Sequence, residues 1–572
     1  MVYGGKPSRG CRTCRARRIK CDEGRPTCKK CAKSKRECGG YRSEFEIVHR
    51  DETRTTVQRN SSRPAVWQQH HSAATPVLVF VHEHHGLPTP RSSPARQDSP
   101  PPPLSVPIAQ QAACYFASNF ILMPRGEGPY GYMEYLVPLL RTEMPGRSAL
   151  QHAFNACGLA ALGNKVTSER VNFSELSLKE HSQALVRTHE ALGNPATANS
   201  DATLAAVLLL CLFESITAIK ETRMLAWRSH IEGAAHIVQS RGREQMRTKT
   251  ASLLFNAVRH HIMARTLSSG IAPPVGVDWW MGGGDTDSLS AKAQHFGLET
   301  AALRAEVSSL MTNLSRTPES VGLMGQMRQR VQAIDQEIAE WMDIVPEQSR
   351  PRTLCCVWEE NLKFTRTGYG DIEVFPGRVD VYPDFMTAST WNVARVTRLI
   401  LASLNIRLTA WLCSPADYRT TAEYATAKRI CEGTISDVLA SVPYHLGWHT
   451  KRRELFENNP ELSGFACGLE EGPHKVLPSL LLIWSIACVK NHDLTTEDQR
   501  AWAKGRLRFI ADEMGLKYAR LLHDAELRFP SMMIRQDGLM VVPDPFVNKH
   551  GSGLPIRPRL APPTPVTPGP SG

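Results

Sequence analysis

Six cysteines between residues 11 and 38 are the side chains whose spacing could do chemistry. Cys11-Arg-Thr-Cys14 is followed, after six residues, by Cys21; Cys28-Lys-Lys-Cys31 is followed, after six residues, by Cys38, so one unit is written twice with a shift of 17 positions. Two thiolates three residues apart grip one metal ion, and a third closes the site from the next turn. Two tetrahedral zinc ions need eight ligand positions, which six cysteines fill only if two sulfurs touch both metals. The spacing therefore predicts a binuclear cluster of two Zn2+ ions, with Cys11, Cys14, Cys21, Cys28, Cys31 and Cys38 as ligands. A disulfide framework is the rival reading, and it needs an oxidising compartment. Residues 1–30 carry no apolar core of a signal peptide, and the apolar runs at 204–213 and 480–483 are too short to span a bilayer, so no membrane partner is expected.

The chain has 572 residues, 42% of them apolar, enough for more than one domain and a large core. Its net charge is +12, and residues 1–50 hold fifteen Lys/Arg against five Asp/Glu. Nearly all the excess charge thus belongs to the cysteine module, and six thiolates with two zinc ions, about −2 in sum, leave it positive. A nucleic-acid phosphate backbone is its natural partner. The nine remaining cysteines show no such spacing and read as reduced core residues.

The cysteine pattern closely resembles the fungal Zn2Cys6, or zinc binuclear cluster, DNA-binding domain, and Pro26 sits between the halves where that family usually has a proline. The resemblance implies that Cys11 and Cys28 are the bridging sulfurs. It also implies that the first-half helix enters the major groove of double-stranded DNA, with the residues three and four places after Cys14, Arg17 and Arg18, at the base edges. The family commonly has Lys at both places. Arg can make a bidentate contact to guanine, so a CGG-like triplet is expected. Arg12, Arg15 and Lys20 are expected on phosphates, positioning the helix. Lys29, Lys30, Lys33, Lys35 and Arg36 of the second half would face the backbone, and the same basic text suits nuclear import.

The elements that must carry this module follow from composition and periodicity. Residues 1–42 form the zinc module; 43–107 a disordered Pro/Ser-rich linker; 108–547 a large all-α regulatory domain; and 548–572 a disordered tail. The fold class is mostly α. Residues 41–60 show no sustained heptads, so a homodimer would have to form through the helical domain. The run at 204–219, preceded by Asn199, Ser200 and Asp201 as cap choices, reads as a buried helix. In the next helix Trp227, Ile231, Ala234, Ala235 and Val238 share a face and Gly242 ends it. Its W-x2-H-[IL]-x-G-A text ending in Arg-Gly resembles the fungus-specific transcription factor domain, as do the stretches around Trp391, Asn392 and Arg395, around Trp484, and around Trp502. Val331, Ile334, Ile338 and Trp341 form a stripe expected to pack on its own domain. Residues 270–300 read as a loop, in which Trp279 and Trp280 could line an apolar pocket. His82, His84 and His85 read as linker, and His230 and His236 as core or capping histidines.

No G-x-S-x-G, P-loop or H-E-x-x-H motif is present, so no enzyme is expected. The reading is a nuclear, zinc-dependent, sequence-specific transcription factor acting on RNA polymerase II transcription, with coregulator contacts and a pathway-specific role such as secondary metabolism. The alternatives are a metabolite-binding sensor in the helical domain that gates DNA binding, an RNA-binding zinc module, and an enzyme fused to a zinc module.

Overall fold

The computed structural model describes residues 11–38 except 18, 25 and 26. It also describes 106–539 except 125–130, 144–147, 166–170, 219–221, 283–287, 362–367 and, within 460–474, all but Leu462 and Phe465. The expectations for the linker, the tail, Pro26, the segment 41–60 and the histidines at 82–85 lie outside the described residues. The chain divides into two compact units, Met1–Pro101 and Pro102–Gly572.

In the first unit the sequence repeat becomes a structural one. Helices α1 (Arg12–Ala16) and α2 (Lys29–Lys33) stand 17 residues apart, each holding one Cys-x2-Cys pair at its start. Five residues are too few to sustain a helix on propensity alone. Cys11, Cys14, Cys28 and Cys31, all fully buried, form the core of this unit with Cys21 and Cys38 packed against them.

The second unit is built of helices α3 (Ile108–Phe120), α4 (Leu136–Thr142), α5 (Ala149–Gly163), α6 (Phe173–Gly193), α7 (Asp201–Thr217), α8 (Thr222–Arg241), α9 (Lys249–Ser269), α10 (Val277–Met281), α11 (Leu289–Asn313), α12 (Pro318–Ile344), α13 (Phe385–Cys413), α14 (Ala422–His445), α15 (Glu454–Glu457), α16 (Leu477–Asn491), α17 (Glu497–Asp512) and α18 (Tyr518–Asp524). Their starts are chemically marked. Ser148, Asn172, Ser200, Thr248, Ser288, Asp384 and Thr421 each accept the N–H three residues on, and Thr317 with Ser320 and Thr496 with Gln499 form reciprocal capping boxes. Of the three cap choices before α7, Ser200 serves, and Thr203 through Ile216 are all buried. The α12 stripe packs inward as expected: Val331, Ile338 and Trp341 are buried, and Trp341 lies near Phe296 of α11 and Trp391 of α13.

Helix α13 is the axis of this unit. From Thr387 to Trp411 every residue except Arg398 is buried. Its apolar stretch is long enough to cross a membrane by length and composition, against the expectation that no run was, but 83% of that window is buried inside the domain, as in a core helix. Interspersed polar residues masked the run in the sequence. In the fold the arginines among them find partners: Arg407 makes a bidentate pair with Asp537 (2.7 and 2.9 Å), Arg398 pairs with Asp335 (2.8 and 3.2 Å), and Arg395 donates to Tyr382 Oη (2.6 Å) and Asn392 Oδ1 (3.1 Å).

Two expectations need correction. The helical pattern is interrupted by an antiparallel pair, β1 (Arg352–Val357) and β2 (Gly377–Val381), in the register Arg352↔Val381 to Val357↔Gly377 with a bulge between Thr353 and Cys355. The strands are short and widely separated in sequence, so neither announces its partner. The loop expected over 270–300 is too long. Helix α10 falls inside it, and α11 begins at Leu289, where the Gly and Pro punctuation has stopped and Ser288 caps a run of good helix formers. Trp280 is fully buried, donates to Pro274 O (2.8 Å) and packs on Phe255. Trp279 packs on Phe255 and Trp280, so this pair belongs to the core.

Candidate metal centre and nucleic-acid interface

The two half-repeats bring their sulfurs together at metal-cluster distances. Cys11 Sγ lies 3.7 Å from Cys28 Sγ and 3.7 Å from Cys31 Sγ, and Cys14 Sγ lies 3.6 Å from Cys28 Sγ. A tetrahedral zinc with sulfurs at about 2.3 Å imposes sulfur–sulfur edges of about 3.8 Å. Two quartets could each hold an ion: Cys11, Cys14, Cys21 and Cys28, and Cys11, Cys28, Cys31 and Cys38, the four sulfurs of each within 4.8 Å of one another. Cys11 and Cys28 belong to both.

The backbone is arranged around sulfur that carries charge. Cys14 N–H donates to Cys11 Sγ and Cys31 N–H to Cys28 Sγ, both at 3.3 Å, the same contact in each half. Cys21 Sγ accepts from Cys11 N–H (3.5 Å) and Glu23 N–H (3.4 Å). Burial works against these two donors, yet they leave Cys21 with a pKa of about 7. Burial and then the neighbouring thiols push Cys31 up to about 12 and raise Cys14 further; Cys11 is raised chiefly by burial. Cys11, Cys14 and Cys31, crowded in a buried site, resist ionisation, and a dication beside them is the chemistry that reverses this. The donor set therefore fits zinc.

Contacts that the spacing does not disclose clamp the halves. Asp22 accepts from Lys29 N–H (3.0 Å) and Lys30 N–H (3.2 Å) at the start of α2, and these donors, the Lys29 N–H foremost, lower its pKa. Thr13 Oγ1 donates to Glu37 O (3.0 Å). No local signal marks either residue, because each partner is defined only by the fold. Arg17, expected at base edges, is exposed at the end of α1 and donates through one terminal nitrogen to Ser34 Oγ (3.2 Å). That ties it to the second half. Lys20, Lys29, Lys30, Lys33, Lys35 and Arg36 are exposed, as is Ile19 (39%). Arg12 and Arg15 lie on α1 with side chains outside the described set, and Arg18 lies outside the described residues.

In the helical unit, the α8 motif has a physical reading. Ile231, Ala234, Ala235 and Val238 are buried as the spacing predicts, Trp227 and His230 are half-buried, and His236 is exposed, so His236 is not a core residue. Its closing Arg-Gly clamps the next-door helix: Arg241, 5% exposed, pairs with Asp201 (2.9 Å) and donates to Ser200 O at the start of α7. Gly242 has a φ of 66°, which ends α8 where a side chain would strain the backbone.

Residues 9–46 match the fungal Zn(2)-Cys(6) binuclear cluster domain, and residues 115–343 match the fungal specific transcription factor domain. Transcription factor dbaG of Emericella nidulans is 25% identical over 455 residues, which covers 74% of this chain and 94% of that protein. Two further relatives match in the cysteine module. White-opaque regulator 2 of Candida albicans is 51% identical over 47 residues, 8% of this chain and 10% of that protein. The aspercryptin biosynthesis cluster-specific transcription regulator atnN of Emericella nidulans is 54% identical over 37 residues, 6% of each chain. No solved structure matches.

Proposed function

From a chain that is a fungal Zn2Cys6 transcription factor, we propose a specific division of labour. Cys11, Cys14, Cys21 and Cys28 hold one zinc ion, Cys11, Cys28, Cys31 and Cys38 a second, and the two shared sulfurs bridge them. Zinc supplies the cross-link that folds two helices too short to stand alone. The observation that carries this reading is the pair of sulfur quartets with Cys11 and Cys28 in common.

The module then reads a CGG-like triplet of double-stranded DNA in the major groove. Arg17 and Arg18 reach base edges, while Arg12, Arg15 and Lys20 neutralise phosphates. Arg17 is the best supported of these, since its contact with Ser34 fixes the guanidinium beside an exposed basic face. The chain acts in the nucleus on RNA polymerase II transcription, and the helical domain serves coregulator contacts and a homodimer. The likeness to atnN, an aspercryptin biosynthesis cluster-specific regulator, supports a pathway-specific role, for example in secondary metabolism. The absence of catalytic motifs supports a non-enzymatic protein.

Selection of bound duplexes from a random pool by the full-length protein tests this reading. Enrichment of one or two CGG triplets is expected, and their number reports a monomer or a dimer. Recovery of no common triplet, or displacement of the duplex by single-stranded RNA, overturns it.

A further inference from the structure

Helix α6 buries its polar residues and exposes its leucines. The face it sets against α5 and α7 holds Ser177, His181, Ala184 and Thr188, with the His181 ring stacked on Phe213 of α7 at 4.2 Å. Outside stand Leu178 (42% exposed), Leu185 (40%) and Leu192 (43%), with Val186 (52%) beside them. A surface helix ordinarily places these residue types the other way round, so the exposed face asks for a partner.

The three leucines are spaced by seven. At 3.6 residues per turn each heptad drifts by only about 20°, so they fall in one row about 21 Å long. Ser182 and His189, both exposed, occupy the turns between them. A row of this kind is what a helix presents to a coiled-coil partner.

We propose that two copies of the chain pair along this row, α6 against α6, antiparallel about a two-fold axis at Leu185. The inference rests on the homodimer of the proposed function and names its interface. An interface about a two-fold axis must be complementary to itself, and this row is. Leu185 meets its own copy, Leu178 meets the partner's Leu192, and His189 meets the partner's Ser182. On the open flank Val186 meets its own copy. Lys179, six residues before the axis, meets the partner's Glu190, five residues after it, and both are exposed. Arg187 holds the Glu190 carboxylate from its own helix (2.9 Å). The two-fold makes each Lys179–Glu190 contact twice, which fixes register and direction. A parallel pair would instead set the open flank against the flank of His181, which Phe213 already covers.

Sedimentation of the full-length protein without DNA tests the pairing. The wild type should be a dimer at micromolar concentration. Leu185→Glu, which sets two carboxylates facing each other at the axis, should raise the dissociation constant at least about a hundredfold. Lys179→Glu and Glu190→Lys each turn two attractions into two repulsions and should weaken the dimer about fivefold to thirtyfold. The double variant Lys179→Glu/Glu190→Lys restores opposite charges and should return to within about threefold of the wild type. A monomeric wild type overturns the proposal and the homodimer with it, while the zinc-dependent reading of DNA stands. A wild-type dimer that Leu185→Glu leaves unchanged overturns the α6 interface alone. A double variant no tighter than the single ones overturns the antiparallel register. Circular dichroism identifies a variant that has not folded, and if Leu185→Glu is one, the three charge variants decide.

Discussion

Removing a shared sulfur and removing an unshared one should have different consequences for metal. Cys28 belongs to both quartets and Cys38 to one, while the 3.6–3.7 Å edges place a tetrahedral centre about 2.2–2.3 Å from each sulfur. A structural zinc site contributes about 10–16 kcal/mol of apparent binding free energy, so one thiolate of four accounts for about 3–4 kcal/mol, or a few hundredfold in affinity. Titration with a competing chelator, read by mass spectrometry of the native protein, measures this directly. Wild-type protein should carry two zinc ions. Cys38→Ala should release one ion at a few hundredfold less chelator and hold the other as the wild type does. In Cys28→Ala both ions should leave together at the lower concentration. Identical curves for the two variants would refute the sharing of Cys28, and with it the two-quartet arrangement.

Other consequences follow from particular contacts. Arg17→Ala should reduce discrimination at one base position by about 1–3 kcal/mol, whereas Lys20→Ala should weaken binding to all duplexes alike and flatten the salt slope by about one unit; fluorescence anisotropy across salt concentrations separates them. Gly505→Ala would place a Cβ 1.7 Å from Gly370 O, so backbone must move. Urea unfolding should show a loss of at least about 1–3 kcal/mol, with zinc content unchanged. His492 is fully buried and burial pushes its pKa down to about 4, below the unfolded value of about 6.5. The unfolded chain therefore takes up protons that the folded chain refuses, and stability falls as pH drops from about 6.5 towards 4. His492→Gln should flatten that decline in thermal melts, and an unaltered decline would show that other groups cause it.

The cysteine module was legible because metal ligation is local and repeated: a Cys-x2-Cys pair states its own geometry, and the 17-residue shift states it twice. The clamp between halves was not legible, since Thr13 meets Glu37 and Arg17 meets Ser34 only after the chain has turned back. In the helical unit, the single-face spacing after Trp227 marked the buried positions correctly, and the cap choices at 199–201 marked the start of α7. What failed were features that depend on distant partners. β1 needs β2, and the α13 run hid behind polar residues whose partners lie elsewhere in the chain, such as Arg407 with Asp537. The expectation of an apolar pocket was attached to Trp279 and Trp280, which are core.

In the proposed function, zinc-held sulfurs fold a module that reads DNA sequence. The most direct test is the affinity of the full-length protein for a CGG-bearing duplex and for a scrambled duplex of equal length, measured at one salt concentration before and after zinc chelation. A preference of at least about a thousandfold that vanishes on chelation and returns with added zinc is expected. Equal affinity for the two duplexes, or a preference that survives complete zinc removal, would contradict the account.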